Sequence, residues 1–277
     1  MSLDLSEIAC NIEAREDGLW TSRTHSKVSY PDEGNDACFA VEDASFWFRH
    51  RNNCILQAMT AYPPSGTLFD IGGGNGYVAR AVQDAGTDVV LVEPGAAGAQ
   101  NARVRGVRHV VHSTLENAGF QGKTLPAVGL FDVLEHIQDD QAFLENLNRL
   151  MWPDGRVYVT VPAYPALWSR EDDVAGHWRR YTLGSLSRVL NRSGFAVEFA
   201  THFFAFLPVP ILLMRVLPYR LRRQSSQNDN GRMKAEHQPG TLAAGVLRML
   251  TRRELSRVAA GRRSAFGASC LAVARKS

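Results

Sequence analysis

A chain of 277 residues, 45% hydrophobic and 21% charged, carries enough apolar material for one large domain with elaboration or for two small ones. Its net charge of +3 is too small to point to a nucleic-acid partner. The four cysteines, Cys10, Cys38, Cys54 and Cys270, are far apart and form no C-x-x-C pair, so free thiols in a reducing compartment are expected.

Residues 1–45 are polar, with acids early and no apolar core, so no signal peptide is expected. They are expected to form a short helix and loop, or an arm that orders over a site. No run approaches ~18 uninterrupted apolar residues, so no transmembrane helix is predicted. Phe46 to Met59 reads as a helix with aromatic residues at its start. Phe46 is a candidate core anchor. Arg51 is a candidate to reach over the next loop to a carboxylate, because a guanidinium fork suits a planar anion.

Leu68 to Ile71 then reads as a short buried strand. Gly72, Gly73, Gly74 and Gly76 make a turn, and Val78 opens a helix. Strand, glycine turn and helix together make a nucleotide-binding corner, where backbone N–H groups and a helix start meet a ligand. The glycines fall as G-x-G-x-G, and Tyr77 stands where a dinucleotide fingerprint wants its third glycine. Asp70 at the strand end is placed to hold an ammonium group or to orient the loop. A second strand, Val89 to Val92, ends on Glu93-Pro94. An acid about 20 residues past the glycines is placed to accept hydrogen bonds from ribose hydroxyls. The competing reading is a tight strand–helix turn with no ligand.

A helix over Ala96 to Val104 and a third strand over Val107 to Val111 follow. The next loop carries Ser113-Thr114 on the same sheet edge. His109 and His112 have no carboxylate or thiol partner nearby in sequence, so no metal is expected. Val128 to Ile137 reads as the fourth strand and its exit, Gln141 to Met151 as a helix, and Val157 to Val161 as the fifth strand. Strands alternating with helices mean a mostly parallel sheet covered on both faces, with ligands beyond the carboxyl ends of the strands. The following loop holds His177 and Tyr181, candidate acid–base groups. Arg179 and Arg180 are either anion clamps or partners of Asp172 or Asp173. Thr182 is placed to cap a helix over Leu183 to Asn191, and Ala196 to Ala200 reads as the sixth strand.

The motifs LFDIGGGNG, VVLVEPG, FDVLEHIQDD, LNRLMWPDGRVYVTVPA and AGHWRRYT together resemble the class I S-adenosylmethionine-dependent methyltransferases, from about Phe46 to Phe199 and again from Gly267 to Lys276. The resemblance implies a doubly wound, seven-stranded, mostly parallel sheet with an antiparallel last strand at Ala268 to Arg275. It implies S-adenosylmethionine as cofactor and S-adenosylhomocysteine as product. Asp70 and the loop of Gly72, Gly73, Gly74 and Gly76 would contact the methionine moiety. Glu93, with Pro94 beside it, would hold the ribose. Asp132 and Val133 would lie near the cofactor through their backbone, and His136 would line the pocket. Many relatives carry an acid after the third strand for the adenine amino group. Here Ser113-Thr114 stands instead, so a hydroxyl or a backbone carbonyl would substitute.

The expected organisation is an arm or lid over 1–45, a cofactor-binding core over 46–200, a helical apolar-basic insertion over 201–266, and the last strand over 267–277. The insertion is expected to be a lid or cap, with peripheral membrane contact through 203–223 as the sharper reading. Pro208, Pro210 and Pro218 argue against a membrane span. The expected activity is methyl transfer to an oxygen, nitrogen or carbon nucleophile of a small or lipid-like acceptor. A cytoplasmic location, peripheral at the inner membrane surface if the insertion docks, would go with it. His177 and then His136 are the candidate bases if the acceptor arrives protonated. A non-catalytic S-adenosylmethionine-binding module and a nicotinamide-dependent oxidoreductase are the alternatives.

Overall fold

The computed structural model describes residues 4–24, 32–221 and 241–277. Among them lies one nine-stranded sheet. Its strands are β1 (Ile12–Ala14), β2 (Leu19–Ser22), β3 (Leu68–Ile71), β4 (Val89–Glu93), β5 (His109–His112), β6 (Leu125–Phe131), β7 (Met151–Pro162), β8 (Phe195–Phe203) and β9 (Ser269–Lys276). The spatial order is β1-β2-β5-β4-β3-β6-β7-β9-β8. β9 runs antiparallel to both its neighbours, while β2 through β7 pair in parallel.

The central strands are buried on both faces, and alternate side chains point to opposite layers. Phe69, Ile71, Val90 and Val92 face one layer, and Leu68, Val89 and Leu91 face the other. Helices α2 (Phe46–Ala61), α3 (Tyr77–Asp84) and α4 (Ala96–Val104) cover the second layer. Helices α6 (Asp140–Leu150) and α8 (Leu183–Arg192) cover the first through Leu144, Leu147, Leu186 and Leu190. Thr182 caps α8 by accepting from Ser185 N–H. Ser45 caps α2 by accepting from Trp47 N–H at 3.1 Å, a start signal that the sequence reading passed over.

Two strands exceed the expected seven. β1 and β2 form a hairpin around Gly18, whose φ is +79°, and β2 pairs in parallel with β5. An uncovered β5 would present a row of unpaired backbone groups; the hairpin covers it. Both strands are too short to show an alternating pattern, which is why a helix and loop or an arm, and no strand, was expected over residues 1–45. β7 also begins earlier than expected, at Met151, where the helix was expected to end. Leu125 pairs with Met151 but Ala127 with Arg156, so the Trp152–Gly155 stretch loops out of register.

Chain order reverses at β3, with β4 on one side and β6 on the other, and the site opens beyond this point. Between β8 and β9 the chain leaves the sheet as α9 (Pro208–Ile211), a π-helical turn (Leu212–Val216) and α10 (Leu217–Arg220). It returns through a helix at Thr241–Ala259 that packs on α2. The expected polar loop over 224–240 lies outside the described residues. Among the described residues no helix is long and apolar enough to cross a membrane.

Glu254 joins the returning helix to the core. Its carboxylate accepts from Phe204 N–H (2.8 Å) and Ala205 N–H (3.0 Å) and pairs with His50 Nε2 (2.6 Å). Phe204 sits at a φ of +59°, so this carboxylate holds a strained turn. Glu254→Ala orphans these donors and is expected to cost about 2–4 kcal/mol of unfolding free energy, read as a lower urea midpoint. A midpoint equal to wild type would contradict the role.

Candidate active site

The carboxyl ends of β3, β4, β5, β6 and β7 border a cavity of about 580 Å³. On its β3 side, Gly72, Gly74 and Gly76 adopt φ values of +68°, +52° and +73°, conformations that alternate glycines supply without strain. A Cβ on Gly73 would lie 2.8 Å from both Asp70 Oδ2 and Leu91 Cδ1. Backbone and acid therefore approach too closely for any side chain. Gly76 does not line the cavity. It precedes α3, and its Cβ position is filled by Ala102 and Val107 at 2.9 Å, so its role is to pack the helix start.

Glu93 at the end of β4 ties the loop. Oε2 accepts from Gly74 N–H at 2.8 Å and Oε1 from Gly95 N–H at 2.7 Å. Glu93 also borders the cavity. Asp70 is buried and borders the cavity, and neither of its oxygens is satisfied by a hydrogen bond, although Ala79 N–H lies near. Burial raises its carboxyl to about 7, with the Arg51 charge working against the rise and Glu93 adding to it.

Pro94, Ser113, Thr114, Asp132 and Val133 also line the cavity. Thr114's hydroxyl caps helix α5 (Leu115–Ala118) by accepting from Asn117 N–H at 3.1 Å, and Ser113's hydroxyl donates to Thr114 O at 2.9 Å. Ser113 Oγ keeps its acceptor lone pairs and the Thr114 hydroxyl keeps its donor hydrogen, so hydroxyl and backbone groups alike stand at this edge of the cavity. Arg51 lines the cavity, but its fork is committed. Nε pairs with Asp132 Oδ2 at 2.7 Å and Nη2 donates to Phe131 O at 2.8 Å. Instead of reaching a ligand carboxylate, it pins the exit of β6, where Asp132 has a φ of +59°.

The far end of the cavity is built by the turn after β6 and the loop after β7. His136 and His177 meet edge to face, ring centroids 4.7 Å apart. His177 Nδ1 sits 2.9 Å from Asp172 Oδ1, leaving Nε2 as the second ring nitrogen. Asp172, on α7 (Arg170–Ala175), also accepts from Arg180 Nε at 2.7 Å and from Ser169 N–H at 2.8 Å. Burial alone would raise its carboxyl, but the bonds from His177 and Arg180 win and hold it down at about 2. Burial and the neighbouring His177 lower His136 to about 4, so its ring is neutral at pH 7.

Arg179 pairs with Asp140 at 2.8 Å and donates to Gln138 O. Both arginines thus fix loops and neither is free to clamp an anion. Tyr181 is also structural. It is buried, does not line the cavity, and donates its hydroxyl to Asp140 Oδ2 at 2.7 Å. Burial and that bond push its phenol far above the ordinary range.

Sequence reasoning missed Glu135 and Glu42. Glu135 is buried against the cavity, its Oε2 has no hydrogen-bond partner, and burial and the Asp132 charge push its carboxyl well above the usual range. The motif was in view, but which residue of a short 3₁₀ turn points inward is not readable from sequence. Glu42, on α1 (Asp32–Glu42), reaches the cavity because Arg105 pairs with it at 2.7 Å and Asn75 donates to it at 3.2 Å.

Fold and site define a class I methyltransferase, and the comparisons agree. The chain matches the methyltransferase-domain family over residues 48–199, and it belongs to that family. A probable S-adenosylmethionine-dependent methyltransferase of Mycolicibacterium smegmatis is 24% identical over 61% of this chain and 66% of its own length. The chain thus spans just under two thirds of that relative. A Thermotoga maritima S-adenosylmethionine-dependent methyltransferase, described as a possible histamine N-methyltransferase, superposes with a TM-score of 0.55 at 17% identity, covering 88% of this chain and 95% of that one. Haemonchus contortus phosphoethanolamine N-methyltransferase 2, solved with S-adenosylmethionine, gives 0.56 at 19% identity, covering 90% and 58%. At such identities these two structures speak to the fold.

S-adenosylmethionine fits the residues present. The unsatisfied Asp70 carboxylate suits its ammonium, the backbone of Gly72, Gly73 and Gly74 borders the cavity where its methionine chain would lie, and Glu93, bordering it too, is placed for its ribose.

Asp70 makes the fit testable through pH. Between about pH 4 and 7 the folded chain holds a proton on Asp70 that the unfolded chain has released. Its contribution to stability is therefore full at low pH and is lost as pH rises through 7. A shift of this size corresponds to roughly 4 kcal/mol in full, of which roughly 2–3 kcal/mol falls between pH 5 and 7. Urea unfolding of the cofactor-free protein at pH 5 and 7.5 is expected to show this loss on top of other titrations, and Asp70→Asn should remove it. Parallel pH profiles for variant and wild type would contradict the assignment.

Proposed function

We propose that this chain transfers the methyl group of S-adenosylmethionine to a protonated nucleophile, an oxygen or nitrogen, on an acceptor with an apolar, lipid-like portion. One observation carries the reading. The glycine loop with its unsatisfied Asp70 and the Asp172-oriented His177 open into the same cavity. The cofactor supplies a methyl already activated on a sulfonium. The chain's residues bind, orient and exclude water. Asp70 and the loop hold the methionine end, and Glu93 the ribose. Trp47, Phe48 and Phe143 form apolar wall toward the acceptor. His177, oriented through Nδ1, presents Nε2 to take the acceptor's proton as the methyl arrives.

The insertion supports a lipid-like acceptor. Val209, Leu213, Met214 and Leu221 are exposed on its helical run, with Arg215 and Arg220 among them. An apolar face flanked by arginines suits the boundary of an anionic membrane. The same run is tied to the loop carrying Asp172, because Tyr219 donates to Asp173 Oδ2 at 2.8 Å and Arg220 donates to Ala166 O at 3.0 Å.

Glu93→Ala should weaken S-adenosylhomocysteine binding by about 1–3 kcal/mol, the range for losing charged hydrogen bonds; an unchanged dissociation constant would move the ribose contact elsewhere. His177→Ala should lower turnover by about 10²–10⁴ with cofactor affinity kept. If affinity falls and turnover per bound cofactor does not, His177 belongs to the cofactor site. Substrates found by screening apolar and lipid-headgroup acceptors for S-adenosylhomocysteine release supply the assay.

A further inference from the structure

Glu135, His136 and His177 each offer one ligand atom, and these atoms lie within 4.8 Å of one another. We propose that they bind one divalent transition-metal ion of the zinc class at the acceptor end of the cavity. Two imidazole nitrogens and one carboxylate oxygen make a three-ligand set of the kind that leaves a fourth position open. All three residues line the cavity, so that position faces it.

The surroundings match the outer shell of such a site. Metal-bound histidines hand their other ring nitrogen to a carboxylate or a backbone carbonyl, which fixes the ring. His177 does so to Asp172 Oδ1 at 2.9 Å, with Asp172 itself held by Arg180 and Ser169. The His136 ring hydrogen-bonds the Ala175 carbonyl. Glu135 brings a buried carboxylate oxygen with no hydrogen-bond partner, a group whose burial a cation would compensate. Asp132 adds a second negative charge close by, neutralised in part by Arg51.

The contrast with a second cluster is informative. His50, Cys54 and Glu254 also lie within reach of one another. There both carboxylate oxygens already accept backbone N–H groups, and none of the three residues borders the cavity. That cluster is a structural tie.

Naming the acceptor end relies on the methyl-transfer reading above; binding of the ion does not. The His177 Nε2 lone pair holds either a proton or the ion, so occupancy converts the base into a ligand.

Full-length protein stripped with chelator is titrated with Zn(II), with Mg(II) as the hard-cation control, and bound metal is counted by elemental analysis. One Zn(II) per chain is expected, with Mg(II) much weaker. His136→Ala, His177→Ala and Glu135→Gln should each weaken Zn(II) at least tenfold. Asp172→Asn, which touches no ion, should weaken it about 10–100-fold, and His109→Gln should change nothing. Far-UV circular dichroism and a cooperative urea transition, matching wild type in every variant, report that each is folded. No Zn(II) uptake by wild type, or equal uptake by wild type and folded His136→Ala, overturns the ion site. Zn(II) uptake lost as expected in a protein that never binds S-adenosylhomocysteine supports the ion site and overturns the methyl-transfer reading instead.

Discussion

The site depends on one carboxylate. Glu93 stands at the end of β4 and accepts Gly74 N–H with one oxygen and Gly95 N–H with the other. It binds the loop after β3 to the turn after β4, at the place where chain order reverses. Each such charge-assisted bond is worth on the order of 1.5–3 kcal/mol. Without the tether, three glycines in left-handed conformations would have little to select one loop shape among many. With it, the loop closes against Asp70, so that a Cβ on Gly73 would lie 2.8 Å from its carboxylate.

That closure sets the charge of the cavity. Asp70, Glu93, Asp132, Glu135 and Glu42 border it, with Arg51 paired to Asp132 and Arg105 to Glu42. Burial drives the Asp70 and Glu135 carboxyls upward, and the neighbouring Glu93 and Asp132 charges add repulsion to it. A ligand with an ammonium and a sulfonium relieves that repulsion, and a nicotinamide dinucleotide with its pyrophosphate worsens it. The cavity also has two ends with different chemistry. The glycine loop builds one; the His136–His177 pair, braced by Asp172, builds the other. The insertion braces the cavity walls. Phe204 stacks on Trp47, ring centroids 5.4 Å apart, and α10 ties down the loop that carries Asp172.

Much of the fold was legible because its signals are local. Leu68 to Ile71, the glycines and Glu93 form a contiguous pattern whose meaning is set by backbone geometry, and strands β3, β4, β6 and β7 are apolar enough to read directly. The β1–β2 hairpin was not legible, since its few buried residues only make sense beside β5. Side-chain roles at the far end were legible in type but not in partner. His177 stood out as an acid–base group, yet Asp172 as the residue that orients it was one of three consecutive acids, Glu171, Asp172 and Asp173, on the same turn. Arg51 and Tyr181 were assigned outward roles that the fold turns inward: a buried arginine beside Asp132 and a buried phenol beside Asp140 are cheaper paired there than exposed to a ligand. Glu135 escaped because inward orientation on a 3₁₀ turn is a tertiary fact.

Calorimetric titration of the full chain with S-adenosylhomocysteine and, separately, with NAD tests the central claim most directly. Micromolar binding of the first, no detectable binding of the second, and proton release near pH 7 as Asp70 ionises against the ligand's ammonium are the expected results. NAD binding at comparable strength, or S-adenosylhomocysteine binding with no proton released, would contradict the account of this cavity as a carboxylate-lined site for a cationic methyl donor.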